Sequence, residues 1–481
     1  PHMSSNAQSS PRDPLAPRRA MARAFDSLRE EHGFVPLRVE GEIPPELSGT
    51  FYRNGPALFE CQGKPYRHWL DGDGAISAVR LSGGRAEGAV RVTVTRELAE
   101  ERASGEMLYS SGFTLGPYWH KRLFGHAKNP TSIHVLTWRD RLFALGDAGV
   151  PYELDPATLE TKGPWDLDGA KRELVNAHVR VRPGSGDVIA LGESIGIRNT
   201  LDVYVLPREG APRLLAAIPC ARPPLLAHDL AITEHHAIIV LPPVHVAVTP
   251  ILLGTGSPMD AISHHESEGC EVLVLPLDDP NGLVRFRVPT FSHFHYANAF
   301  ETKKGAIAVD LCRYPGFDLG AAFMLEPLRA GDAWADVPVS KLARLHLDLE
   351  AEAATWETIW DANVDFPQTH PLLQGRPYRY VWALVQEGHV DRIEKRDLQT
   401  GSVLRSALPS TEYPGEPTFV PRPGGQDEDD GWILTLAYEA TTHTSALVIL
   451  DARDPSQVLA RAHFAQHIPF PLHGTFQPAR E

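Results

Sequence analysis

The chain has 481 residues, 42% of them hydrophobic, and its 46 Lys+Arg against 61 Asp+Glu give a formal charge of −15. That apolar content supports a large core, and the acidic balance argues against general nucleic-acid binding, which needs a basic footprint. Cys61, Cys220, Cys270 and Cys312 are scattered with no CxxC pair, so neither a disulfide framework nor a thiolate zinc site is expected, and a reducing cytoplasm is the expected home.

The opening PHMSS reads as an expression scar, and NAQSSPRDPLAPRRA is polar and Pro-rich with no apolar signal region. Residues 1–24 are therefore expected to be scar and flexible tail, and residues 25–481 a single domain. No run approaches the ~20 apolar residues of a spanning helix. RRAMARAFDSLREEHG carries the strongest helical pattern, and SGEMLYSSGFTLGPYWHKRLFG holds a second, shorter one. Beyond them the chain reads as short strands ended by Gly, Pro, Asp or Asn: RLFALGD, GDVIALGE, HAIIVLP, CEVLVLPLDD, GAIAVDL, YRYVWAL, GWILTLAYE and SALVILDARDP. The 42 prolines also weigh against a helical bundle. A sandwich of this length would need several domains and linkers. PRPGGQDEDDGW is short enough to be a surface loop, so one large all-β propeller fits better. No internal repeat gives the blade count.

Of 22 histidines most look ordinary. His2 lies in the scar, His264 and His265 in a solvated SHHESE loop, and His235 and His236 in a turn before a strand. Four others sit in apolar, strand-like settings: His178 in LVNAHVRV, His228 in LLAHDLAIT, His295 in FHYANAFE and His473 in PFPLHGTF. A buried imidazole needs a hydrogen-bond partner or a metal. Any one of the four, taken alone, is more often a satisfied core histidine than a ligand. Their separations of 50, 67 and 178 residues fit no finger or HExxH helix. A propeller brings such distant residues together, because the inner strand of each blade starts near one axis. Imidazoles without thiolate suit Zn, Cu, Fe or Ni, and ligating histidines usually donate their other N–H to a carboxylate. Asp147, Asp365 and Glu416 lie in comparable settings. Merged in order, 147, 178, 228, 295, 365, 416 and 473 suggest seven blades, with a short first step.

In order, IPPELSGTFYRNGP, HWLDGDGAISAVRL, PYELDPATLET, AHDLAIT, HYANAFE, DFPQ, GEPTFVP and PFPLHGTF resemble the carotenoid cleavage oxygenase family across nearly the whole chain. The resemblance implies a seven-bladed β-propeller capped by loops and short helices over the metal-bearing face. It implies one ferrous ion, Fe(2+), on His178, His228, His295 and His473, with His293 as a structural neighbour on the same strand. The family's supporting acids are usually three glutamates; here Asp147 and Asp365 are one methylene shorter and only Glu416 is kept, so strand shifts or bridging water are expected at the two aspartates. The implied reaction adds both atoms of O2 across one C=C bond of a hydrophobic alkene and yields two carbonyl products, with no organic cofactor. Stilbene-cleaving members carry a lysine where this chain has Gly146 and a tyrosine near Glu97. Their absence favours a carotenoid or apocarotenoid over a stilbenoid or phenylpropene, the main alternative. An isomerase is a further alternative, and a metal-free binding scaffold is the reading of another class. Membrane-derived substrates make Val246–Gly254 and Phe113–Trp119 candidates for peripheral membrane contact, although core strand or tunnel wall is the default for both. A monomer or weak dimer is expected.

Overall fold

The computed structural model describes residues 16–124, 126–147, 149–302, 305–316, 322–331, 338–387 and 390–479. The scar and most of the tail lie outside them. Every apolar run expected as a strand is one. Runs such as Val188–Ser194 and Ile307–Tyr314 are buried almost throughout, because a middle strand of a blade has packed blades on both faces. Outer strands such as Ala353–Trp360 alternate toward exposure instead.

Seven antiparallel sheets of four or more strands make the seven blades. The strands His134–Trp138, Leu174–Val181, Ala231–Ile232, Ser292–Glu301, Val364–Gln368, Thr418–Pro421 and Gly474–Pro478 belong one to each blade, and neighbours among them meet about the axis. The ring is closed by both ends of the chain. Gly474–Pro478 pairs with Gly49–Leu58 of the first blade, and Arg38–Gly41 adds to Val458–His463 of the last. Gly474 is required at this closure, since a Cβ there would lie 1.9 Å from the Tyr52 carbonyl oxygen.

Helices are few and short. The N-terminal pattern gives only α1 (Ala16–Met21) and a 3-10 turn, Ala22–Phe25, before the chain extends into the strand His32–Pro36. Met21, Ala24 and Phe25 are buried in the same apolar cluster as Trp69 and Phe470. The second pattern yields α3 (Trp119–Phe124), preceded by α2 (Arg96–Ser104), which begins on a Thr95 cap and ends on Gly105 in the left-handed region. Val246–Gly254 is not a core strand: most of it is helix α4 (Val248–Leu253), carried on the hairpin Val244–Val246/Ile262–His264. Among the described residues no helix is long and apolar enough to cross a membrane.

Candidate metal centre

His178 and His295 project from the axial strands of the third and fifth blades, His473 immediately precedes that of the first, and His228 lies in the loop just before that of the fourth. The four ring centroids form a rough square, 4.3 to 5.3 Å along its sides and 5.5 and 6.3 Å across. One ligand atom from each lies within 4.8 Å of all the others.

Local backbone features aim each ring. The His473 N–H donates to Ile133 O at 3.1 Å, and its carbonyl accepts from Asn54 N at 2.9 Å. The strand carrying His293 and His295 slips register between His293 and Tyr296. That bulge breaks strict alternation. His295 joins the square, whereas His293 packs on Phe291 and Tyr296, and burial pushes its pKa down to about 4.

The outer nitrogens are held by the three acids. His228 Nδ1 is 2.7 Å from Asp147, His295 Nδ1 is 2.7 Å from Asp365, and His473 Nδ1 is 3.0 Å from Glu416. Both aspartates reach their imidazoles directly, with no gap for a bridging water. Asp147 does so from a loop. It follows the strand Arg141–Leu145 and does not start an axial strand, so it is not one of the seven axial positions; His134 takes that place in its blade. A backbone bridge between Gly149 and Val175 draws the Asp147 loop against the third blade, and a Cβ on Gly149 would strike the Asn129 side chain at 2.5 Å. Asp147 retains 41% of its side-chain surface because it lines the cavity beside the histidines.

Asp365 gains its reach from a second bulge and from Phe366, a bulky residue held at φ 52°. Such a conformation is costly and marks a site over-determined by its surroundings. The Phe366 N–H donates to Asp365 at 2.8 Å, the Tyr314 hydroxyl donates to its other oxygen at 2.6 Å, and the Phe366 ring stacks on His295 at 4.8 Å. Glu416 is paired with the fully buried Arg53 and accepts from Gln368 Nε2 at 3.0 Å. Burial alone would raise its pKa, but Arg53 and then His473 hold it down at about 2. Asp147 and Asp365 are likewise held below the usual range against burial, chiefly by His228 and His295.

Sequence reasoning missed several members. Asp229 is buried 3.8 Å from His178 Nδ1, too far for a hydrogen bond, and accepts from Tyr296 N at 3.1 Å while pairing with Arg180. It thereby ties three axial strands together beside the one histidine that lacks a direct carboxylate. Its signal was its place in AHDLAIT, next to His228. His134 stacks 5.6 Å from His178 and bonds Ala177 O through Nδ1 at 3.1 Å. Its SIHVLTW context is as apolar as those of the chosen four. Burial and the neighbouring His473 lower its pKa to about 4.

The donor set fits a cation. With Nδ1–H of three rings given to carboxylates, each Nε2 presents a lone pair. Yet His228 Nε2 and His295 Nε2 approach to 3.4 Å, and His295 Nε2 and His473 Nε2 to 3.2 Å. Bare lone pairs repel at such distances, whereas two imidazoles about 2.1 Å from one metal sit roughly 3.0–3.4 Å apart. Among the described residues the buried His178 Nε2 has no partner of its own. Beside the square lies a largely apolar cavity of about 160 Å³, lined by Trp69, Phe294, Phe323, Phe366, Phe470 and Leu472 among others.

A family model described as retinal pigment epithelial membrane protein matches residues 25–478. The chain belongs to the carotenoid cleavage oxygenase family. It is 35% identical over 94% of its length to apocarotenoid-15,15'-oxygenase of Synechocystis, 95% of which is covered. It is 26% identical over 98% of its length to resveratrol cleavage oxygenase 1 of Botryotinia fuckeliana, 90% of which is covered. A crystal structure of cobalt-substituted Synechocystis ACO superimposes with a TM-score of 0.87 at 33% identity, covering 96% of this chain and 99% of that one. This family member is therefore an oxygenase, and the scaffold alternative falls away.

Proposed function

We propose that His178, His228, His295 and His473 hold one ferrous ion, and that the enzyme cleaves a C=C bond of a carotenoid or apocarotenoid into two carbonyl products. The convergence of four Nε2 lone pairs at the wall of an apolar cavity carries this reading. Bound there, Fe(II) supplies the O2-activating chemistry by which one alkene and one O2 become two carbonyl fragments. Asp147, Asp365 and Glu416 fix the tautomers of three rings and offset the charge of the ion. Trp69, Phe323 and Phe470 hold the alkene by its π-face and exclude water, so the chain's share of catalysis is positioning and desolvation.

The substrate class rests on the relative with the higher identity and on what this chain lacks. Glu97 is engaged by His126 at 2.6 Å and does not line the cavity. A side chain at position 146 would begin 3.2 Å from Thr131 Cα, so no phenol-binding lysine fits without displacing that segment. Peripheral membrane delivery of the polyene through exposed Trp119 and Leu253, on the contacting helices α3 and α4, belongs to the same reading.

The test is anaerobic loading with Fe(II), addition of a panel of apocarotenoids, carotenoids and stilbenoids, admission of isotopically labelled O2, and mass spectrometry of the products. Two labelled carbonyl fragments from a polyene are expected. Fragments from arylalkenes alone would overturn the substrate class, and full iron retention by His295→Ala would reject the ligand set.

A further inference from the structure

The cavity beside the square is apolar along most of its wall but not at the sixth blade. There Asn363 lines it, just before the axial strand Val364–Gln368. So do Gln386 and Asp391, which face each other on the paired strands Tyr380–Glu387 and Val390–Asp397. Register sets their place relative to the histidines. Asp365, the partner of His295, pairs with Leu384. Leu384 and Gln386 are two residues apart, so they face the same side, with Gln386 roughly 7 Å further along the strand. Asn363 and Gln386 also line an outer cleft with Trp360 and Arg405, so this polar group stands where the cavity gives way to the surface.

We propose that Asn363 and Gln386 are positioning residues that hold an oxygen atom on the end group of the polyene, a hydroxyl or a carbonyl, and so set which C=C bond reaches the histidines. The inference rests on the alkene-cleaving reading given above. Three hydrogen bonds fix the two amides. Asn363 Oδ1 accepts from Ser340 N at 3.1 Å, Asn363 Nδ2 donates to Gln386 Oε1 at 3.1 Å, and Gln386 Nε2 donates to Asp391 Oδ1 at 3.3 Å. Each amide oxygen is thereby used as an acceptor, and each NH2 spends one of its two N–H groups. Among the described residues the second N–H of each amide has no partner. Both amides are half-buried on a wall that they share with Phe294, Phe323 and Leu384. A hydrocarbon end placed there strips water from the two N–H groups and returns nothing, whereas an oxygenated end takes the place of that water. A purely structural network accounts for the three bonds but not for two spare donors at the polar end of an apolar cavity. Selectivity of this kind comes from polar groups that the wrong substrate leaves unpaired.

The test uses one apocarotenoid skeleton of fixed length carrying a hydroxyl, a ketone or only hydrogen on its end ring. Kd for the iron-loaded, full-length protein is read anaerobically from quenching of tryptophan emission, since Trp69 lines the cavity. KM and kcat are then read in air. The wild type should bind at least one oxygenated polyene about fivefold more tightly than the bare one, and which of the two it prefers tells hydroxyl from carbonyl. Gln386→Met keeps the length of the side chain and removes the amide. It should bring that ratio to about one through Kd and KM rather than kcat. Asn363→Asp keeps the acceptor for Ser340 N and should lower the ratio in the same direction. Matching melting curves establish that the variants fold. A wild type without the preference, or a Gln386→Met variant that keeps it, overturns the subsite. The alkene-cleaving reading fails separately, by the absence of cleavage in air, and the Kd ratio decides the subsite even then.

Discussion

The axial square and the His245–His265–Glu268 group are built from the same residue types and differ in what surrounds them. Around the axis each histidine comes from a different blade, three outer nitrogens meet carboxylates, and His178, His295 and His473 are less than a tenth exposed. On the fourth blade the side chains come from one insertion, the two imidazoles stack nearly parallel at 3.6 Å so that their lone pairs do not converge, and the supporting contacts are Ser263 and Arg222 at the surface. Burial lets few alternatives compete for the axial lone pairs, so a cation bound there would support the whole ring of blades. At the outer group water competes for each nitrogen, and the contacts tie down only a local segment. The difference teaches that residue type alone does not make a metal centre; ring orientation, burial and the partners of the outer nitrogens do.

The sharpest way to break this contrast is to replace histidines in each group. His295→Ala or His473→Ala should remove iron and lower alkene cleavage by about a hundredfold or more, the upper end of what loss of metal-site partners produces. His245→Gln should leave both unchanged. Iron content by metal analysis and initial rates on one polyene decide it; equal losses in the two groups would erase the distinction drawn here.

A smaller effect separates the supporting carboxylates. Asp365→Asn keeps the shape and still accepts from the Tyr314 hydroxyl, so it should weaken iron by roughly 10–100-fold with little change in melting temperature. Glu416→Gln should do the same to iron and also destabilise the fold by about 3–5 kcal/mol, because it strands the buried charge of Arg53. Paired iron-binding and denaturation curves measure both. An Asp365→Asn variant as unstable as the Glu416→Gln variant would mean that the aspartate arm is also a structural strut.

Much of this was legible in the sequence, for identifiable reasons. The middle strands are packed on both faces, so runs such as HAIIVLP and GWILTLAYE had to be apolar and could be read directly. The four histidines stood out because imidazoles in apolar strands need partners. What escaped was everything set by the route of the chain in space. Asp147 acts from a loop and reaches His228 across an intervening blade, which no spacing encodes. The bulges at His293–Tyr296 and at Asp365–Gln368 depend on register with neighbouring strands. Nothing in FYRNGP marks the partner of Arg53; only the fold reveals that it faces Glu416. α4 was misread because a short apolar run such as VAVTPILLG does not distinguish strand from helix.

The last contrast sets the acids of the axial site against Glu193, on the strand Val188–Ser194. Asp147, Asp365 and Glu416 each have a histidine or arginine and are held ionised. Glu193 is 2% exposed and, among the described residues, has only Asn176 Nδ2 at 3.4 Å and leaves Oε2 unpartnered. Burial raises its pKa to about 8, with the Asp147 charge adding a little. The folded protein therefore keeps a proton that the unfolded chain loses above the ordinary glutamate value of 4.5. Stability from this group is fully present below that value and falls as pH rises toward 8, by at most about 1.4 kcal/mol per unit. Glu193→Gln mimics the protonated form and should flatten that slope, so that wild type and variant melt together near pH 4 and the variant melts higher near pH 8. Melting curves at fixed ionic strength across that range check it. A variant that tracks the wild type at every pH would mean that Glu193 is ionised after all and has a cationic partner, like the axial acids.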